Sequence, residues 1–288
     1  MRHLVVSIAV LGSVVLLAGC EKATMNDEEV ERAVTGINVV DESNLNDIML
    51  TVGDPDEAVA YFRRAVAQQP ERSDLKRGLG KSLLRAGQAE QGAKVWSEVA
   101  NGADGNASDR VELADALIRS GDWARAKSEL NKVPPTHETF KRYKLEAMVA
   151  DSEEDWKRAD SFYETAVGLT TQPAGTLNNW GYSKLTRGDY GGAEKLFGEA
   201  ITYDEGMFTA KNNLVMSRGA QGKYDMPVVP MSQVERSQLL HTLALSAIKR
   251  GDVNMGRTLL QEAIDTHPQH FEEAVRAMRA LDSNVANG

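Results

Sequence analysis

From about residue 39 onward, apolar residues recur at helical spacing, in short runs that resemble one another. Leu177, Trp180-Gly181, Ala193, Phe197 and Ala200 form the clearest set. Leu79-Gly80, Leu83, Ala89, Gly92 and Trp96 repeat its texture, as do Leu113-Ala114, Leu117, Trp123, Ala126 and Leu130. Weaker copies run through Ala58, Phe62 and Ala65, and through Leu243-Ala244, Leu260 and Ala263. Residues three and four apart share one face of a helix, so each set predicts a pair of short amphipathic helices. Small residues at the Gly and Ala slots let the two helices approach closely. Large ones such as Trp96 and Phe197 are expected to plug the gap toward the next hairpin.

Glycines punctuate this pattern at a fixed interval. Gly53, Gly87 and Gly121 stand 34 residues apart, as do Gly188 and Gly222, and Glu154 occupies the slot between Gly121 and Gly188. Gly251 follows 29 residues after Gly222. Glycine tolerates the left-handed backbone that ends a helix. The aspartates of Gly121-Asp122-Trp123, Glu154-Asp155-Trp156, Gly188-Asp189-Tyr190 and Gly251-Asp252-Val253 suit the cap of the helix that follows. Each rung therefore predicts a tight turn between helices. The interval and the residues within it match the tetratricopeptide (TPR) pattern. That match implies an all-α superhelix of stacked hairpins, an α-solenoid of about seven repeats over 39–282. No hairpin of this kind buries its apolar face alone, so neighbours must stack.

Two stretches break the rhythm. Pro134-Pro135 should cut one second helix short after Asn131, and Pro227 and Pro230 should replace another with a loop near 225–231. Phe271, Val275, Met278 and Leu281 have helical spacing and suit a C-terminal capping helix, leaving 283–288 as a tail.

The amino-terminal segment has a different character. Met1-Arg2-His3 precedes an apolar run from Leu4 to Leu17. As a helix that run reaches about 21 Å, short of the roughly 30 Å bilayer core. It reads as a secretory signal over 1–19. Leu17-Ala18-Gly19-Cys20 resembles a bacterial lipobox. The resemblance implies cleavage before Cys20 and a thioether-linked lipid on that cysteine as the one membrane attachment, with no cofactor besides. Two or three acyl chains anchor far more firmly than one. In the pattern of the lipoproteins it resembles, Asp at position 21 means retention at the inner membrane, so the resemblance with Glu21 implies the periplasmic face of the outer membrane. Residues 20–38, with the charge run Asn26-Asp27-Glu28-Glu29, read as a flexible tether.

Charge and chemistry narrow the function. A formal net charge of −9 argues against nucleic acid as the partner. Cys20 is the only cysteine, which excludes an internal disulfide or a Cys-x-x-Cys site. His3, His137, His241, His267 and His270 form no metal motif, and no metal or small-molecule substrate is expected. Gly78-Leu79-Gly80-Lys81-Ser82 resembles half of a phosphate loop but has Leu75 where the motif needs glycine. No nucleophile elbow is present, so the chain reads as a non-enzyme.

First helices of such hairpins line a groove. Groove slots hold Asn178, Asn179 and Tyr182 in one repeat and Asn212 and Asn213 in the next; paired amides can hold a peptide backbone. Asparagine is common at these slots of TPR arrays, where it often only braces the hairpin. Arg77, Lys81 and Arg85, four apart, form a basic stripe that could receive an acidic segment or simply be solvated.

The segment from Leu177-Asn178-Asn179-Trp180-Gly181 to Phe271, with its proline-bearing interruption and the repeat from Leu239 to Pro268, resembles the TadD-like TPR lipoproteins of tight-adherence (Flp-type) pilus assembly. The resemblance implies a pilotin or assembly role, with the pilus secretin or another assembly component as protein partner. A general envelope scaffold, serving peptidoglycan enzymes or outer-membrane assembly, is the alternative.

Overall fold

The structure, a computed structural model, describes residues 45–286. The expected signal over 1–19, the lipid site at Cys20, the tether over 20–38 and the start of the array at residue 39 lie outside these. The chain divides into two compact units, Met1–Gly53 and Asp54–Gly288. The described part of the first is a short helix over 45–51.

The second unit is built of helices, with no strand among the described residues. In chain order they are α1 (Pro55–Gln68), α2 (Ser73–Arg85), α3 (Ala89–Asn101), α4 (Ala107–Arg119), α5 (Trp123–Leu130), α6 (Phe140–Ser152) and α7 (Trp156–Gly168). Then follow α8 (Ala174–Thr186), α9 (Tyr190–Tyr203), α10 (Phe208–Ala220), α11 (Gln233–Arg250), α12 (Val253–Thr266) and α13 (Glu272–Ala286). Five hairpins result: α2–α3, α4–α5, α6–α7, α8–α9 and α11–α12. With α1 and α10 as single helices they account for seven repeat positions, and α13 packs on α12 as the cap. The cap helix runs on to Ala286, into the segment read as a tail.

The glycine ladder works as turn chemistry. Gly87, Gly121, Gly188, Gly222 and Gly251 all have φ between 71° and 93°. The residue after each closes the helix by donating its N–H to a carbonyl five positions back, as Asp122 does to Leu117 at 2.8 Å and Asp189 to Lys184 at 2.9 Å. Glu154 takes the same conformation without being glycine, at φ 59°, and Asp155 closes on Ala150 at 3.0 Å. The ladder is incomplete at its start, because Gly53 does not adopt a positive φ.

Asp122, Asp155 and Asp189 each cap the next helix by accepting a backbone N–H three residues on, at 3.2, 3.3 and 3.0 Å. Asp252 does not, contrary to the expectation from its rung. Its carboxylate is drawn instead to the Tyr224 hydroxyl and lies 3.9 Å from the Arg250 guanidinium.

Trp96 and Phe197 close their own hairpins instead of filling the gap toward the next one, because a glycine on the facing first helix leaves a seat for each ring. A Cβ on Gly80 would come within 2.6 Å of the Trp96 indole, and one on Gly181 within 2.7 Å of the Phe197 ring. Gly78 meets Phe62 of α1 in the same way. All three rings are fully buried. The Gly78–Ser82 segment is thus a helix packed on both sides, not a phosphate loop.

Both expected interruptions are present. Helix α5 ends at Leu130, before the proline pair. No helix forms between Gln221 and Ser232. That loop is pinned by charge: Glu194 accepts from Arg218, Gln221 and Lys223 at 2.6 to 2.9 Å. Lys211, 2% exposed, donates at 3.0 Å to Glu235, which also closes the capping box of α11 with Ser232. Helix α11 fills the gap left by the missing second helix. Its Leu239, Leu240 and Leu243 share a core with Val215 of α10.

Candidate functional site

The rungs decide which side chains begin each second helix. Capping by Asp122 and Asp155 makes Trp123 and Trp156 the first residues of α5 and α7. Both line a concavity of about 560 Å³ that runs across α6, α7, α8 and α10. Met148, Asp151, Ser152 and Tyr163 line it from α6 and α7, and Thr209 and Asn213 from α10. Helix α8 contributes Asn178, Asn179, Tyr182, Ser183 and Thr186.

Four of the expected groove residues therefore come together, but their roles differ. Asn213, 7% exposed, donates to the Asn178 side-chain oxygen at 3.1 Å and ties α10 to α8. Asn179 is half-buried, makes no side-chain hydrogen bond among the described residues, and stands beside Tyr182, which is 53% exposed. Asn212 lies outside the concavity. Its oxygen accepts from Thr242 at 2.8 Å, bracing α10 against α11. Bracing between repeats thus occupies Asn178 in the first amide pair and both members of the second.

The floor carries a polar cluster that sequence spacing does not reveal. Asp151 accepts from the Tyr163 hydroxyl at 2.7 Å and from Ser183 at 2.6 Å. Burial holds its carboxyl above the usual range, outweighing those two hydrogen bonds. Burial, and then the neighbouring Asp151 charge, push the Tyr163 phenol far upward. Asp160, one turn from Tyr163, has the opposite balance. Burial raises it too, but the Trp180 indole N–H at 2.5 Å, the Arg187 guanidinium at 2.6 Å and the Lys184 ammonium bring it below the usual range. Trp180 stacks on Tyr163, with centroids 6.1 Å apart, and fixes α8 against α7.

The basic stripe is placed differently. Arg77 and Lys81 line a second concavity of about 500 Å³ with Asp109, Glu112 and His137. Arg77 is engaged in a two-pronged ion pair, both prongs 2.8 Å, with Asp109 of the next hairpin. It also donates to the Asp104 carbonyl at 2.9 Å. Lys81 is exposed, and Arg85 is exposed and lines neither concavity. Of the stripe, Arg77 is a brace.

Trp123 and Trp156 escape a search of first-helix slots because they belong to second helices. Their signal is the tryptophan that directly follows the rungs Gly121-Asp122 and Glu154-Asp155. Among the described residues no three His, Cys, Asp or Glu side chains are grouped to hold a metal ion. No described helix is long and apolar enough to cross a membrane.

Residues 49–108 match the tetratricopeptide repeat family model. The fold is a TPR superhelix. Solved TPR structures superpose on it over most of its length. The Cut9–Hcn1 hetero-tetramer of APC/C is 14% identical, with a TM-score of 0.59 over 82% of this chain and 48% of that one. The chain thus spans about half the length of that neighbour. A tetratricopeptide repeat protein of Parabacteroides merdae is 12% identical, with a TM-score of 0.54 over 83% of this chain and 96% of that one. A thermophilic TPR protein of Thermus thermophilus is 13% identical, with a TM-score of 0.52 over 60% of this chain and 95% of that one. These likenesses establish the fold of the TPR array and nothing finer. No protein of curated function matches the chain.

Proposed function

We propose that the TPR array is a non-catalytic scaffold that docks an extended segment of another protein in the concavity spanning α6 to α10. The observation that carries this reading is the exposed lining itself. Trp123 and Tyr182 are exposed in its lining, and Asn179 of the same lining has a side-chain amide with no partner among the described residues. Aromatic faces with a few free polar groups suit docking of a peptide.

The cellular role rests on the amino-terminal sequence and its family resemblance. In this reading a lipid on Cys20 holds the array at the periplasmic face of the outer membrane. There it serves as pilotin or assembly factor for a tight-adherence pilus, with the secretin or a neighbouring assembly component as partner.

Detergent-solubilised envelopes test both parts. Wild-type protein is expected to co-purify with secretin, and Asn179→Ala with Tyr182→Ala to lose it while keeping the helical circular-dichroism spectrum. Retention of secretin by the double variant rejects this concavity as the docking site. Cys20→Ser is expected to leave a folded protein that no longer fractionates with outer membrane; unchanged fractionation rejects the anchor.

A further inference from the structure

The concavity has a chemical bias that the docking reading alone does not specify. Among its lining residues Asp151 is the one with a formal charge. Other buried or half-buried aspartates of the array meet cations: Asp109 meets Arg77, Asp115 meets Arg119 and Lys141, and Asp160 meets Arg187 and Lys184. Asp151 hydrogen-bonds two hydroxyls instead, and the Arg187 charge reaches it only without a hydrogen bond. A carboxylate has about four lone-pair positions, so each oxygen keeps acceptor capacity after those bonds. No Lys or Arg lines the concavity to use it.

The walls suit a cation as well. Trp123 is 37% exposed and Tyr182 53% exposed, and both line the concavity. Aromatic faces attract guanidinium and ammonium groups through the ring quadrupole, Trp most strongly. The array already uses this contact at the same place: the Arg187 guanidinium lies over the Trp156 ring, 5.5 Å from its centroid. An acidic side chain entering here would face Asp151 and the negative side of each ring.

We propose that the concavity reads a cation: a lysine or arginine side chain of the docked segment lies against Trp123 and Tyr182 and directs its charge to Asp151. This rests on the docking reading and adds the class of side chain that anchors the partner.

A random nonapeptide phage library panned against the full chain in detergent micelles tests it. Selected peptides are expected to share a Lys or Arg. Replacing that Arg by citrulline, or that Lys by norleucine, is expected to weaken binding at least tenfold in wild type. In Asp151→Asn, whose amide still serves Tyr163 and Ser183, the same replacement is expected to change binding less than twofold. Peptides anchored by apolar or acidic residues overturn the cation inference and leave the docking reading intact. So does a citrulline penalty that survives in Asp151→Asn. Should that variant misfold, the citrulline comparison in wild type still decides, since an equal affinity overturns the inference. Selection that enriches no peptide, or peptides indifferent to Tyr182→Ala, overturns both.

Discussion

Two stretches of the same inner face treat charge in opposite ways. Between α2 and α4 a cation and a carboxylate, Arg77 and Asp109, neutralise each other across the hairpins. Between α6 and α8 the carboxylate of Asp151 is satisfied by hydroxyls, and its surroundings are aromatic. Both stretches use groove slots of the repeat. The first joins neighbours by pairing opposite charges, and the second joins them through neutral groups, Ser183 to Asp151 and Asn213 to Asn178, so the Asp151 charge has no cation at hydrogen-bond distance. Equivalence of slot in a repeat does not carry equivalence of role. What decides is whether the group one repeat away carries the opposite charge, as Asp109 does for Arg77 and Ser183 does not for Asp151.

That contrast can be broken from either end. Trp96→Ala should strike hardest, removing a ring that is 1% exposed and costing about 3–5 kcal/mol by cavity formation. Chemical denaturation measures it, and a cost near zero would mean the seat at Gly80 collapses around the gap. Arg77→Ala should come next, at about 1–3 kcal/mol, because Asp109 is left buried without its cation and Arg77 itself is partly exposed. Asn213→Ala should cost about 1 kcal/mol through the lost bond to Asn178, whereas Asn179→Ala should stay within about 0.5 kcal/mol. Equal costs for the two would erase the distinction between brace and free amide. Asp151→Asn should show the opposite sign. Burial raises this carboxyl in the folded state, so its ionisation opposes folding. The variant's gain is full above the raised pKa and vanishes once pH falls below the ordinary value of 3.8. Thermal melts of both proteins from about pH 3 to about pH 8 would reveal it, since that window brackets the ordinary and the raised pKa. A loss of stability at neutral pH would contradict it. Smallest, Glu154→Gly should stabilise by about 0.5–1 kcal/mol by relieving a left-handed side-chain-bearing residue at φ 59°.

Much of the architecture is legible in the sequence because its determinants are local. A glycine with positive φ, an aspartate three residues before a free N–H, and a proline that cannot donate act within one turn. Glu154 shows the strength of the signal: the slot keeps its backbone conformation even without its residue. Asp252 shows the weakness, since a tyrosine 28 residues earlier in the chain takes the carboxylate away from its cap. The candidate site is less legible for the same reason. Asn212 is used by Thr242, Asn213 by Asn178 and Arg77 by Asp109, each about one repeat away. Those pairings depend on how hairpins register against each other, and spacing inside a hairpin does not encode it. The two tryptophans are visible in the sequence as turn markers, but only stacking brings them to the wall of the groove.

The glycine seats carry a lesson for recombination. Gly181 receives a ring from its own hairpin, so α8–α9 holds both halves of its closure. Helix α2 receives two rings, Trp96 from its own partner and Phe62 from the helix before it. The seat at Gly181 should therefore stay filled when α8–α9 is moved into a foreign array, whereas both seats of α2 stay filled only when α2–α3 moves in company with α1.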